Sequence, residues 1–214
     1  HMSVFSNYRV TTLFAFFYLI LSVSLQAQQK SAPATQKPAQ VQPKQLDSMA
    51  IRAIAQIISD SFGAQVDLIE EFIREAKQLE TDEKVPATAF IGIAILESTG
   101  FTSYLYQNAK NPFGMRATPP WNGETFTMWH EGADSPFRKY DTPSEAVRDF
   151  ASFLQSRKWF KDALKCSATD VECFIKGLSA NWKKREPGYA SDPEWPNKVR
   201  RVIKTYKLET LTTK

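Results

Sequence analysis

From Asp47 onward the apolar residues recur every three or four positions. Ile51, Ile54, Ile58 and Phe62 form one stripe of a helix that Asp47 can cap and that ends near Gly63. Val66, Ile69, Ile73 and Ala76 make a second stripe, with Glu70, Glu71, Arg74 and Lys77 turned to water. Thr81, Asp82 and Glu83 interrupt the pattern, and Pro86 suits the first turn of a third helix. This third element has another texture: from Phe90 to Leu96 no side chain is polar, so burial on nearly every side is expected. Its alanines, its Pro86 start and the lack of an internal turn favour a helix over a buried strand. On a helix Phe90, Ala94 and Glu97 share a stripe, and one carboxylate emerges at the end of an apolar face.

After Asn111-Pro112-Phe113-Gly114 the segments become short and aromatic. Trp121-Asn122-Gly123 signals a turn, Thr125 to Trp129 alternates as a strand does, Gly132 to Ser135 reads as a loop and Phe137 to Tyr140 as a return strand. Thr127, Trp129 and Glu131 would then share one face of a hairpin. Helices resume after Asp141-Thr142-Pro143, with Ala146, Phe150, Phe153 and Leu154 on one face, then a short helix from about Thr169 to Ala180. A last helix carries Trp195, Val199, Val202, Ile203 and Tyr206. The expected fold is mainly α, a helical body with a small β-hairpin inserted.

The amino-terminal region changes this picture only at its edge. His1 before Met2 reads as a cloning remnant, and Arg9 followed by the apolar block Leu13 to Leu25 reads as a signal peptide cut after Ala27, with an uncleaved membrane anchor as the alternative. Residues 28–46 are rich in Gln and Pro and too polar to bury, which makes a disordered tether. Export would place Cys166 and Cys173 in an oxidising compartment, where a disulfide is the expectation and a reduced buried pair the alternative. Loss of Arg9 with the leader takes the formal charge from +4 to +3, mild enough to suit an anionic glycan but too small to indicate nucleic acid.

Elimination narrows the chemistry. With His130 as the only histidine after the remnant, a zinc hydrolase site cannot be assembled, and any Ser or Cys triad would need that one imidazole. No phosphate-cradling loop or dinucleotide fingerprint is present, and no metal or cofactor is expected. Carboxylates, aromatics and amides remain, the tools of glycoside hydrolysis by paired carboxyl groups. Glu97 at the edge of a low-dielectric core has the setting of a general acid, although a helix exit into water would look the same in sequence. Glu131 on the hairpin is its first-choice partner and Glu124 the reserve.

Leu96-Glu97-Ser98, Phe101-Thr102-Ser103, Asn111 to Arg116, Trp121-Asn122-Gly123, Phe137 to Tyr140, Gly188 to Pro193 and the closing Lys198 to Leu208 are similar, in order, to the β-N-acetylglucosaminidases of glycoside hydrolase family 73. The resemblance implies a lysozyme-like domain over 47–210 and cleavage of the β-1,4 bond after N-acetylglucosamine in peptidoglycan. It makes Glu97 the general acid and places Tyr189 at the scissile bond. Phe113, Trp129, Asn111, Tyr104 and Trp182 become candidates for sugar binding, with Lys183, Lys184 and Arg185 as a basic loop beside them. Implied partners are glycan strands and a protein of an envelope machine, for a monomer in the periplasm or outside the cell. Thr99, Phe101 and Lys110 depart from the family pattern of glycines and asparagines, which puts the backbone near Glu97 in question. A muramidase, a lytic transglycosylase and a non-catalytic peptidoglycan-binding scaffold are the rival readings.

Overall fold

The computed structural model describes residues 43–179 and 187–211, all within one unit running from Val41 to Lys214. The leader at 1–27, most of the tether and the segment 180–186, which includes Trp182 and the basic loop, lie outside the described residues. The helices are α1 (Pro43–Phe62), α2 (Val66–Glu83), α3 (Ala87–Glu97), α4 (Tyr104–Ala109), α5 (Pro143–Ser156), α6 (Val171–Leu178) and α7 (Trp195–Thr205). Strands β1 (Thr125–His130) and β2 (Ala133–Arg138) form a two-stranded sheet between α4 and α5.

Helix α3 is the hub, because every residue from Ala87 to Ile95 is buried and α2, α6 and α7 all pack against it. Gly92 permits the closest of these approaches: a Cβ there would lie 2.7 Å from Ile203 Cγ1 on α7. Around Phe90 the core is aromatic, with Phe150 at 5.0 Å, Phe174 at 5.9 Å and Phe113 at 6.2 Å between ring centroids. Such rings supply large buried apolar area in few residues, which suits a short helix that must hold a fixed position.

Several boundaries differ from expectation. Helix α1 begins at Pro43, so Asp47 is not its cap, and the last residues assigned to the tether form its opening turn. Proline has no N–H to leave unsatisfied there, which is why a helix can start earlier than its polar cap suggests. Helix α4, absent from the sequence reading, is capped by Ser103, whose Oγ accepts from the Tyr106 N–H.

The hairpin is tighter than expected. Thr125 pairs with Arg138 and His130 with Ala133, leaving only Glu131-Gly132 as the turn, both left-handed with φ of 52° and 86°. Glu131 therefore stands at the tip and not on the Thr127–Trp129 face, and residues 133–135 belong to the return strand. Pro136 lies within the return strand, where it lacks an N–H but takes part through its carbonyl, which accepts from the Ala117 N–H at 3.0 Å. At the base of the hairpin buried Arg138 donates to both oxygens of Asp149 on α5, at 2.8 and 2.6 Å, and the Tyr140 hydroxyl donates to the same carboxylate at 2.6 Å. This bidentate pair fixes the lobe to the helical body.

Cys166 and Cys173 are joined by a disulfide. It staples the 3₁₀ turn at 163–165 to α6, where Gly177 lies so close that a Cβ would meet Ala163 Cα at 2.6 Å.

Candidate active site

Glu97 is the last residue of α3 and owes its position to the turn that follows. Ser98, fully buried, donates from Oγ to the Ala94 carbonyl at 2.6 Å and accepts from the Phe101 N–H at 2.8 Å. Its carbonyl accepts from Thr102 and Ser103. Thr99, Gly100 and Phe101 are consecutive left-handed residues with φ of 51°, 63° and 67°. The backbone that glycines would favour is thus adopted without them, at a conformational cost for Thr99 and Phe101. Gly100 itself is required, since a Cβ would strike the Phe62 ring at 2.1 Å.

Across from Glu97 stands Trp195, the first residue of α7, whose indole N–H donates to Glu97 Oε1 at 2.8 Å. The Glu97 side chain reaches solvent, yet protein crowds it closely enough that burial raises its carboxyl above the usual range. The Trp195 hydrogen bond and the Lys198 charge pull the other way without cancelling that rise. A carboxylate at a helix C-terminus also faces the negative end of the backbone dipole, which acts in the same upward direction. Lys198 is held by Asp192 at 2.5 Å, and Asp192 accepts from the Glu194 N–H, so it builds the entry to α7 without being its N-cap.

Tyr189 completes the cluster. Its ring lies 5.3 Å from both Trp195 and Phe150, and its hydroxyl donates to the Phe113 carbonyl at 2.5 Å. Burial, with smaller contributions from Glu97 and Tyr140, holds this phenol well above its ordinary pKa, so it stays a neutral donor at physiological pH.

The other expected site residues divide by exposure. Trp129 is 68% exposed, and Tyr104 is 62% exposed while tilted against Phe126 at 5.7 Å, so both offer open aromatic surface near the hairpin. Phe113 is buried and stacked face to face on Phe150 at 4.0 Å, so that ring face is closed to a sugar. Asn111 is buried too; its amide donates to the Met115 and Arg138 carbonyls and accepts from the Met115 N–H. These two build the frame of the site and present nothing to a ligand.

The hairpin acids are both exposed. Glu131, 78% exposed, pairs with Arg116 at 3.4 Å and lies 3.7 Å from His130. Glu124 is paired with Lys139 at 2.7 Å, which lowers its pKa, and sits by a cavity of about 330 Å³ at the hairpin base lined by Trp121, Tyr140 and Asp149. A cavity of about 500 Å³ beside the disulfide is lined by Trp159, Asp170 and Glu172. Glu97 lines neither of these cavities and is itself exposed.

Trp195 is the residue that sequence reasoning missed. Its periodicity with Val199 and Ile203 made it core, which it is; no sequence signal showed that its N–H turns toward an acid 98 positions away.

A helical body with a small two-stranded lobe is the architecture of a lysozyme-like domain. Residues 73–208 match the Glucosaminidase family, described as mannosyl-glycoprotein endo-beta-N-acetylglucosaminidase, and the chain belongs to that family. It is 26% identical over 175 residues to peptidoglycan hydrolase FlgJ of Pseudomonas aeruginosa, covering 74% of this chain and 42% of that protein. It is 26% identical over 160 residues to exo-glucosaminidase LytG of Bacillus subtilis, covering 71% and 55%. The chain thus spans less than two thirds of the length of these curated relatives. Among solved structures the glycoside hydrolase domain of Salmonella typhimurium FlgJ superposes with a TM-score of 0.54 at 21% identity, covering 67% of this chain and 89% of that one. This last likeness concerns the fold alone.

Proposed function

We propose that this domain hydrolyses the β-1,4 bond after N-acetylglucosamine in peptidoglycan from outside the cytoplasm, as an endo-acting glucosaminidase with Glu97 as general acid. The observation that carries the proposal is Glu97 itself: a carboxyl with a raised pKa, at the end of a rigid buried helix, on an open face. A raised pKa keeps a larger share protonated near neutrality, and the proton can pass to the leaving oxygen as the glycosidic bond breaks. Family membership and relatives named as a peptidoglycan hydrolase and a glucosaminidase support the substrate class.

Glu131 is our choice for the second carboxylate, delivered by the hairpin tip. Its exposure at the hairpin tip, beside Arg116, leaves it open to a substrate, where a carboxylate stabilises an oxocarbenium or activates water. Tyr189 is our choice for the residue beside the scissile bond, supported by the family resemblance and by the electrostatic influence of Glu97 on its phenol, whose hydroxyl donates to the Phe113 carbonyl. Trp129 and Tyr104 supply apolar faces for neighbouring sugars.

The test is mass spectrometry of peptidoglycan digested by the protein. Reducing-end N-acetylglucosamine is expected, and reducing or anhydro N-acetylmuramic acid ends would assign the activity to a muramidase or a lytic transglycosylase. Glu97→Gln is expected to lower the rate by about 10²- to 10⁴-fold. A wild-type protein that binds glycan strands without cutting them would make the domain a scaffold.

A further inference from the structure

We propose that Trp195 is a positioning residue for Glu97: its indole N–H, a donor that cannot accept, holds Oε1 as an acceptor and leaves the acidic proton on Oε2. This inference rests on the reading of Glu97 as the general acid.

The geometry is specific. The indole nitrogen lies 2.8 Å from Oε1. Trp195 is only 4% exposed, packed against Tyr189 and fixed at the start of α7 by its own N–H, which donates to the Asp192 carbonyl at 3.0 Å. An indole N–H has no lone pair to offer, so it can face a carboxyl oxygen only as a donor. In the protonated acid the carbonyl oxygen is the better acceptor, and Oε1 takes that role. The hydroxyl then belongs to Oε2, which no described residue hydrogen-bonds, on a residue that is itself exposed. A glutamate side chain has three rotatable bonds, and one fixed donor removes much of that freedom before substrate arrives.

The same hydrogen bond favours the ionised carboxyl, so Trp195 orients the acid while moderating how strongly it holds its proton. The other groups facing Glu97 are Lys198 on α7, itself paired with Asp192, and the Tyr189 phenol, beyond which lies Tyr140. None of these lies between the indole and Oε1.

The test compares wild type with Trp195→Phe and with a protein carrying β-(3-benzothienyl)alanine at position 195, which keeps the indole shape and loses the N–H. Initial rates on soluble uncrosslinked glycan strands are measured across pH, with Glu97→Gln as reference. Loss of the N–H is expected to lower kcat on the acid plateau about tenfold with KM changed less than about twofold. The basic limb should move to higher pH, because the acid loses a partner of its ionised form. A loss of packing alone would lower the rate at every pH without moving the limb. If Trp195→Phe misfolds, the isosteric variant decides. An unmoved limb in that variant, with Glu97→Gln inactive, would overturn the role of Trp195 and leave the general acid standing. An active Glu97→Gln would overturn both.

Discussion

Glu97 carries a cost that the proposed role of general acid would explain. Its pKa in the folded chain is raised above that of an unfolded glutamate, so the folded state binds more protons between the two values. Stability from this group is therefore fully present below the unfolded pKa and is lost as pH rises through the folded pKa. Glu97→Gln, which cannot ionise, should unfold at a higher temperature than wild type at pH 7 while the two converge at acid pH. Calorimetry at both pH values checks this, and a destabilised variant at pH 7 would show that the charge is better solvated than the structure implies. The position was visible in the sequence because a run without polar side chains can end only where the chain meets water. The hydrogen-bond partner of the acid was not visible, since Trp195 reaches it by packing of α7, and helical periodicity shows which face is buried but not which atom a buried indole meets.

Among the elements, the hairpin is where sequence and structure part most. Glu131 and Gly132 make a two-residue turn, whereas in sequence Glu131 reads as part of the strand and Gly132 to Ser135 as the loop after it. The shift moved Glu131 from a strand face to the tip, and the Arg138–Asp149 pair at the other end fixes the base from which that tip projects. Asn111 and Phe113, expected at the sugar site, are buried for a related reason. Proximity in sequence to a motif does not give a free face, and the carbonyls of Met115 and Arg138 claim the amide while Phe150 covers the ring. The choice between the hairpin acids can be made by paired amide variants. Glu131→Gln keeps the size of the turn residue and should lower kcat about 10²-fold if this carboxylate acts at the anomeric carbon. Glu124→Gln only releases Lys139 from an exposed, solvent-screened surface pair and should leave kcat within about twofold. The reverse ranking would transfer the role to Glu124.

For the molecule as a whole, the elements that hold the acid and the covalent staple are separate. The turn after Glu97 is organised by Ser98 and Gly100, and its partners come from α7 and the 187–194 segment. The Cys166–Cys173 disulfide closes a loop before α6, which reaches α3 through Phe174 and Phe90. Cross-linking so short a loop stabilises a fold by about 2 to 3 kcal/mol on the chain-entropy estimate. Replacing both cysteines by serine should therefore lower the urea midpoint by that free energy divided by the m-value, with m itself nearly unchanged. The folded fraction should keep the wild-type kcat, because neither cysteine is among the described hydrogen-bond or ring partners of Glu97, Trp195 and Tyr189. Urea titrations followed by tryptophan fluorescence, with activity normalised to folded protein, measure both quantities. A fall in kcat at full folding would mean that α6 transmits strain through the Phe90 cluster to the end of α3, making the staple part of the site's support.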